Sequence, residues 1–271
     1  LPTPRRTLTL LAAVTLVLAP ATAEAHAAEV PDAMASLGDS ITRGFNACGF
    51  FVDCTSRSWA TGSSSTVNSH YLRFRAVNPS VVAHNDARSG AKVADLAGQA
   101  DRAVSQGVDH VTILIGANDA CTSSETGMTT VADFESRFRA AMQRLTTGLP
   151  EASVFVSSIP DVKRLWEVGR NSSSARAAWS AFSICQSMLA APRSTDPADA
   201  DRRERVRQRV SDYNAVLARV CAEQARCRYD GGAVFSYPFA LSHLSTWDYF
   251  HPNSSGQRLL AEITYTAAFD L

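Results

Sequence analysis

Val111-Thr112-Ile113-Leu114-Ile115, followed at once by Gly116-Ala117-Asn118-Asp119, is the stretch that decides the fold. The run is apolar without alternation, so it predicts a strand buried on both faces, as in a parallel sheet. Gly, Asn and Asp then favour a turn. The same arrangement occurs earlier, where Ala33 to Leu37 runs into Gly38-Asp39-Ser40, with Ile41 onward able to start a helix. Shorter runs at Ser80 to Ala83, Val154 to Val156 and Ala233 to Phe235 predict further strands. Between them, apolar residues recur at helical spacing. Val131, Phe134, Phe138, Ala141 or Met142, and Leu145 form one stripe; Val206, Val210, Tyr213, Leu217 and Val220 form a second. A helical insertion is expected around Ala175 to Leu189, between loop-like segments at Ser172 to Ser174 and Pro192 to Pro197. Leu259, Leu260 and Ile263 predict a last helix after Pro252. This alternation argues for an α/β sandwich with a mainly parallel sheet.

The 271 residues carry 26 Lys plus Arg and 26 Asp plus Glu, so no global field selects nucleic acid. Arg5 and Arg6, the apolar run Leu8 to Leu18 and the small-x-small site Ala25-His26-Ala27 read as a secretory signal peptide over residues 1–27. Residues 28–271 are then a secreted, extracellular domain. Its six cysteines, Cys48, Cys54, Cys121, Cys185, Cys221 and Cys227, read as three disulfides. The simplest pairing joins each close pair locally and leaves Cys121 with Cys185. A structural zinc site is the rival reading, but its usual spacings are tighter. Arg202, Arg203, Arg205, Arg207 and Arg209 make a basic run, read as a solvated helix face rather than a phosphate-binding patch.

In an open parallel sheet, ligands bind at the carboxyl ends of the strands. Ser40 lies at one such end, and Asn118 lies at another. A serine hydroxyl attacks poorly until a base takes its proton. Asp248-Tyr249-Phe250-His251-Pro252 supplies one: His251 as base, with Asp248 three residues before it to fix the tautomer. None of His26, His70, His84, His110 and His243 has that partner, and they read as surface or satisfied polar residues. Gly90, in Ser89-Gly90 after the second strand, lets a backbone N–H approach a ligand closely. Phe45, Phe50 and Phe51 suit an apolar acyl pocket or ordinary core equally.

Taken in order, Gly38-Asp39-Ser40, Gly90, Gly116-x-Asn118-Asp119 and Asp248-x-x-His251 resemble the GDSL/SGNH hydrolase family. Within it they look most like the phospholipase-B-like and actinobacterial secreted lipase branch. Ala87 stands where many members carry another Gly. The resemblance implies a flavodoxin-like three-layer α/β/α sandwich with a five-stranded parallel sheet. It implies a catalytic set of Ser40, His251 and Asp248, with an oxyanion hole of Ser40, Gly90 and Asn118 and no metal or organic cofactor. The implied activity is hydrolysis of lipid carboxylic esters by a monomer that touches a lipid surface transiently. A carbohydrate acetyl esterase of the same family is the alternative. A metal-dependent hydrolase using Asp119, Asp248 and His251 is a further one.

Overall fold

The computed structural model describes residues 2–3 and 30–269. The signal peptide read from the sequence lies outside the described residues, apart from positions 2–3. No described helix is long and apolar enough to cross a membrane.

Five strands, β1 (Ala33–Gly38), β2 (Val82–Asn85), β3 (His110–Leu114), β4 (Ser153–Val156) and β5 (Cys227–Tyr229), form one parallel sheet in the order β2-β1-β3-β4-β5. The helices are α1 (His70–Val77), α2 (Leu96–Gln106), α3 (Ala117–Ala120), α4 (Val131–Gly148), α5 (Val162–Gly169), α6 (Ser173–Ala181), α7 (Gln186–Leu189), α8 (Pro197–Ala222), α9 (Ala233–Ser236) and α10 (Ser254–Phe269). Helices α2, α4 and α8 pack in succession on the face bearing Ala35, Leu37, Val111 and Ile113. The opposite face carries Met34, against which Phe74 of α1 and Tyr265 and Phe269 of α10 gather. Alternate residues of β1 therefore serve opposite layers, as the two-residue period of a strand requires. The expected α/β/α sandwich is present.

Both central strands are buried almost throughout, and β3 is buried at every position. That is why the two apolar runs were legible as strands. The strand expected at Ala233 to Phe235 is instead helix α9, and the fifth strand is Cys227–Tyr229. As an edge strand, half-buried throughout, it needs no apolar run. Gly231 and Gly232, both left-handed at φ 67° and 83°, turn the chain after it. Asp230 then accepts from the Gly232 and Val234 N–H groups at 2.8 and 3.2 Å, which satisfies the start of α9. Strand β2 begins two residues later than expected, at Val82. Helix α8 begins well before Val206, where Asp196 accepts from the Ala198 N–H and Pro197 occupies the first turn. Helices α2 and α5 had no counterpart in the sequence reading.

The basic run on α8 is a solvated face only in part: Arg205 and Arg207 are exposed, Arg202 and Arg209 are half-buried and Arg203 is buried. Arg202 donates to the carbonyls of Gln186, Ser187 and Ala190. Arg203 is 2 % exposed and lies over the Trp166 ring. Arg205 pairs with Glu125, Arg207 with Asp161, and Arg209 donates to the Thr129 carbonyl. The five guanidinium groups hold the loops around α8.

Three disulfides join Cys48 to Cys54, Cys121 to Cys185 and Cys221 to Cys227, the expected pairing. Such bridges persist in an oxidising or extracellular compartment.

Candidate active site

The order β2-β1-β3 puts a topological switch point between β1 and β3, since the chain leaves them toward opposite sides of the sheet. Their register pairs Gly38 with Leu114, so both strands end at the same level. Asp39-Ser40 and Asn118 therefore emerge side by side. Gly38 has φ 146°, and a Cβ there would sit 2.3 Å from the Leu114 carbonyl oxygen; only glycine permits that approach.

No helix follows Ser40. The chain runs through turns, with Gly44 and Asn46 left-handed at φ 62° and 60° and Cys48 tied to Cys54. Two fully buried glutamine amides grip the backbone on either side of the serine. Gln99 of α2 accepts from the Gly38 N–H at 2.7 Å and donates to the Gly38 carbonyl at 2.9 Å. Gln257 of α10 accepts from the Trp59 N–H at 2.9 Å and donates to the Ile41 carbonyl at 2.8 Å.

The sequence-derived trio converges. His251 Nε2 is 2.8 Å from Ser40 Oγ, and His251 Nδ1 is 2.6 Å from Asp248 Oδ2. The spacing of three residues works because Asp248 Oδ1 also accepts the Phe250 and His251 N–H groups at 2.9 and 3.0 Å, folding the loop over its own carboxylate. Burial pushes the Asp248 carboxyl up, but its hydrogen bond to His251, the His251 charge and those two N–H donors outweigh it and hold it below the usual range. The Phe45 ring lies 4.9 Å from the His251 ring on one side, and Phe250 lies 4.9 Å from it edge-on.

Gly90 is exposed and left-handed at φ 80°, with open space where a Cβ would stand. Among the described residues neither its N–H nor that of Ser40 has an acceptor. Asn118 Nδ2 donates to the Ala91 carbonyl at 3.0 Å, which fixes the amide beside the Gly90 loop and leaves its second hydrogen free to donate. Asp119 does not join this group. Its carboxylate accepts from the Val93 N–H at 2.9 Å and from Thr129 Oγ1 at 2.7 Å, so it anchors neighbouring loops. Among the described residues no three His, Cys, Asp or Glu side chains are placed to hold a metal ion.

Two residues at the site were given no role of their own by the sequence reading. Asn46 Nδ2 donates to Asp248 Oδ2 at 2.5 Å, and its Oδ1 accepts the Phe51 N–H at 2.6 Å. Asp39 is fully buried beneath Ser40; Oδ1 accepts the Ile41 N–H at 2.9 Å and Oδ2 has no partner. Burial pushes its carboxyl up to about 7. His70 and His110 are buried rather than at the surface. Each has one bonded nitrogen, to Thr264 Oγ1 and Ser153 Oγ, and one without a partner.

Phe50 and Phe51 are neither core nor pocket wall, being half exposed outside the triad. A separate apolar groove, open to solvent, is lined by Ile41, Ala117, Phe250, Leu165 and Phe239 among others. Ile41, Ala117 and Phe250 each neighbour a residue of the site in sequence. None of the triad side chains lines the groove; the Phe250 ring touches both it and His251.

The sequence model of the GDSL-like lipase/acylhydrolase family matches residues 36–259. The chain belongs to this family. That places it among the GDSL-family esterases and lipases. Similar solved structures include LAE5, an α/β hydrolase enzyme from the metagenome of Lake Arreo, at 20 % identity and TM-score 0.55, covering 88 % of this chain and 95 % of that one. Axe2, an acetylxylan esterase from Geobacillus stearothermophilus, is 18 % identical at TM-score 0.55, covering 87 % and 93 %. At such identities the GDSL chain shares their fold. No curated protein sequence matches it.

Proposed function

We propose that this chain is a secreted serine esterase of the lipase and phospholipase type, which cleaves carboxylic esters of lipids through an acyl-enzyme on Ser40. The observation that carries the reading is the unbroken relay from Ser40 Oγ to His251 Nε2 at 2.8 Å and from His251 Nδ1 to Asp248 at 2.6 Å. Ser40 Oγ attacks the ester carbonyl carbon as its proton passes to His251 Nε2. Asp248 orients the imidazole and stabilises its charge. The carbonyl oxygen, now an oxyanion, receives the N–H groups of Ser40 and Gly90 and the free Asn118 amide hydrogen. His251 then hands its proton to the departing alkoxide. Water repeats the sequence on the acyl-serine and restores the hydroxyl.

Two apolar rings contact the imidazole, Phe45 and Phe250, and Phe250 also lines the groove. That favours an acyl chain over a sugar as the larger part of the substrate. The likeness to Axe2 keeps an acetylated carbohydrate as the second reading.

An organophosphonate should label Ser40, mapped by mass spectrometry. Ser40→Ala should lower kcat on p-nitrophenyl esters on the order of 10⁴- to 10⁶-fold. Rates should rise from acetate toward medium-chain acyl groups. Labelling of another residue, or full activity in Ser40→Ala, would overturn the nucleophile; activity confined to acetate would overturn the lipid reading.

A further inference from the structure

Seven large hydrophobic side chains are exposed among the described residues, and five of them, Phe50, Phe51, Val52, Phe182 and Trp247, come from three segments that meet. Phe50, Phe51 and Val52 sit in the Cys48–Cys54 loop, Phe182 caps the end of α6, and Trp247 precedes the catalytic Asp248. Their rings form one continuous cluster. Phe50 lies 4.6 Å from Phe51, 5.2 Å from Trp247 and 6.3 Å from Phe182, and Phe51 lies 5.1 Å from Phe182. The cluster reaches the catalytic centre in two steps: Phe51 to Phe45 at 5.8 Å, then Phe45 to the His251 ring at 4.9 Å. A large exposed apolar patch rimming a site marks a surface that meets another apolar phase.

The loops are built to hold these rings outward. Phe51 is left-handed at φ 52°, a conformation unfavourable for a bulky residue. The Asn46 side chain, which accepts the Phe51 N–H, and the Cys48–Cys54 bridge hold it there. Charge then selects the partner. No Asp, Glu, Lys or Arg occurs in residues 45–52, 177–186 or 244–247, the three stretches that bear the rings. Of the ionic groups that flank these stretches in sequence, Asp53 is engaged with Arg43 and Ser89, Asp248 lies within the site, and Arg176 donates to the Arg170 carbonyl. The neighbouring rings are inclined by 52° to 69°, so they offer no flat platform for a row of sugars.

We propose that this aromatic cluster docks the enzyme onto an uncharged or zwitterionic lipid surface and sets Ser40 at that surface. The proposal rests on the lipid-ester reading above. The test separates them by using Ser40→Ala protein, whose binding does not depend on turnover. Ser40→Ala should sediment with phosphatidylcholine vesicles. Admixed phosphatidylglycerol should not strengthen the binding, nor should salt weaken it, since no charge pair drives it. The fourfold variant Phe50→Ser, Phe51→Ser, Phe182→Ser, Trp247→Ser on that background should bind at least about tenfold more weakly, because four apolar contacts are lost. With Ser40 intact, the same variant should keep its kcat/KM on soluble p-nitrophenyl acetate within about twofold, which also reports its folding, while losing activity on emulsified ester. Phe182→Ser and Trp247→Ser alone should each weaken binding, because they lie in different segments.

The proposal falls if Ser40→Ala does not sediment, or if the fourfold variant sediments equally. It falls also if the protein is retained on acetylated xylan through these rings, or if they instead drive a concentration-dependent dimer. Vesicle binding by a protein that hydrolyses acetate alone would sink the lipid-ester reading and leave the docking surface standing.

Discussion

Asn46 and His251 donate to the same oxygen of Asp248: Asn46 Nδ2 lies 2.5 Å and His251 Nδ1 2.6 Å from Asp248 Oδ2. Asn46 sits six residues beyond Ser40, the proposed nucleophile, and joins that segment to the Asp248 loop from the other end of the chain. A hydrogen bond to a charged group contributes about 1.5 to 3 kcal/mol. Asn46→Ala removes this one and frees the carboxylate to rotate away from the imidazole. The expected result is a fall in kcat of about 10- to 100-fold, with KM for a short soluble ester nearly unchanged. Steady-state kinetics on p-nitrophenyl acetate decide it.

Asp248→Asn probes the next link. The partner of His251 Nδ1 is Asp248. An amide in that position no longer stabilises the charged imidazolium and allows the wrong tautomer. The loss in kcat should be on the order of 10³- to 10⁴-fold. A residual rate within tenfold of the native enzyme would show that another acceptor takes over.

How far the sequence carried this site follows from where each signal resides. Ser40, Asn118, Asp248 and His251 stand in short motifs at the ends of strands or in one loop, so residue type and position together point to their chemistry. Asn46 meets Asp248 across 202 residues, Gln99 meets Gly38 across 61, and Gln257 meets Ile41 across 216. An amide in an ordinary loop or helix carries no mark of a partner so distant. The same holds for Phe182, whose place beside Phe51 depends on how α6 folds back. The central strands β1 and β3 announce themselves because burial on both faces demands apolar residues at every position. Edge strand β5 is half-buried, and its Cys-Arg-Tyr sequence satisfies that without a pattern.

Two sets of buried ionisable groups bias stability in opposite directions with pH. Asp39, pushed up to about 7 by burial, holds a proton in the folded chain that its unfolded form, at 3.8, gives up. Its contribution is therefore complete below pH 4 and is lost as pH rises through 7. Burial lowers His110 from 6.5 to about 4 and moves His70 well below its ordinary value. The unfolded chain binds those protons more readily, so stability is lost as pH falls from 6.5 toward 4. Asp39→Asn should accordingly gain stability relative to the native chain between pH 4 and pH 8, by up to about 4 kcal/mol. His110→Gln should flatten the acid side of the profile. Urea midpoints taken at intervals across this range separate the two; an unchanged difference for Asp39→Asn would show that the carboxyl titrates normally.

The three disulfides should differ in what their loss costs. Cys121–Cys185 closes a separation of 64 residues and ties the end of α3, which bears Asn118, to the start of α7, whereas Cys48–Cys54 and Cys221–Cys227 each span 6. Chain entropy predicts a loss of about 4 kcal/mol for the long loop and about 2 kcal/mol for either short one. Replacing Cys121 and Cys185 together by Ser should therefore lower the urea midpoint most and loosen the oxyanion side of the site. Replacing Cys48 and Cys54 should cost less stability, because its loop is short. Its main effect should be on the geometry of Phe51 and Asn46, seen as weaker activity on emulsified ester. If the short-loop variant proved the less stable of the two, strain or contacts in the native loop, rather than entropy of the unfolded chain, would govern the ranking.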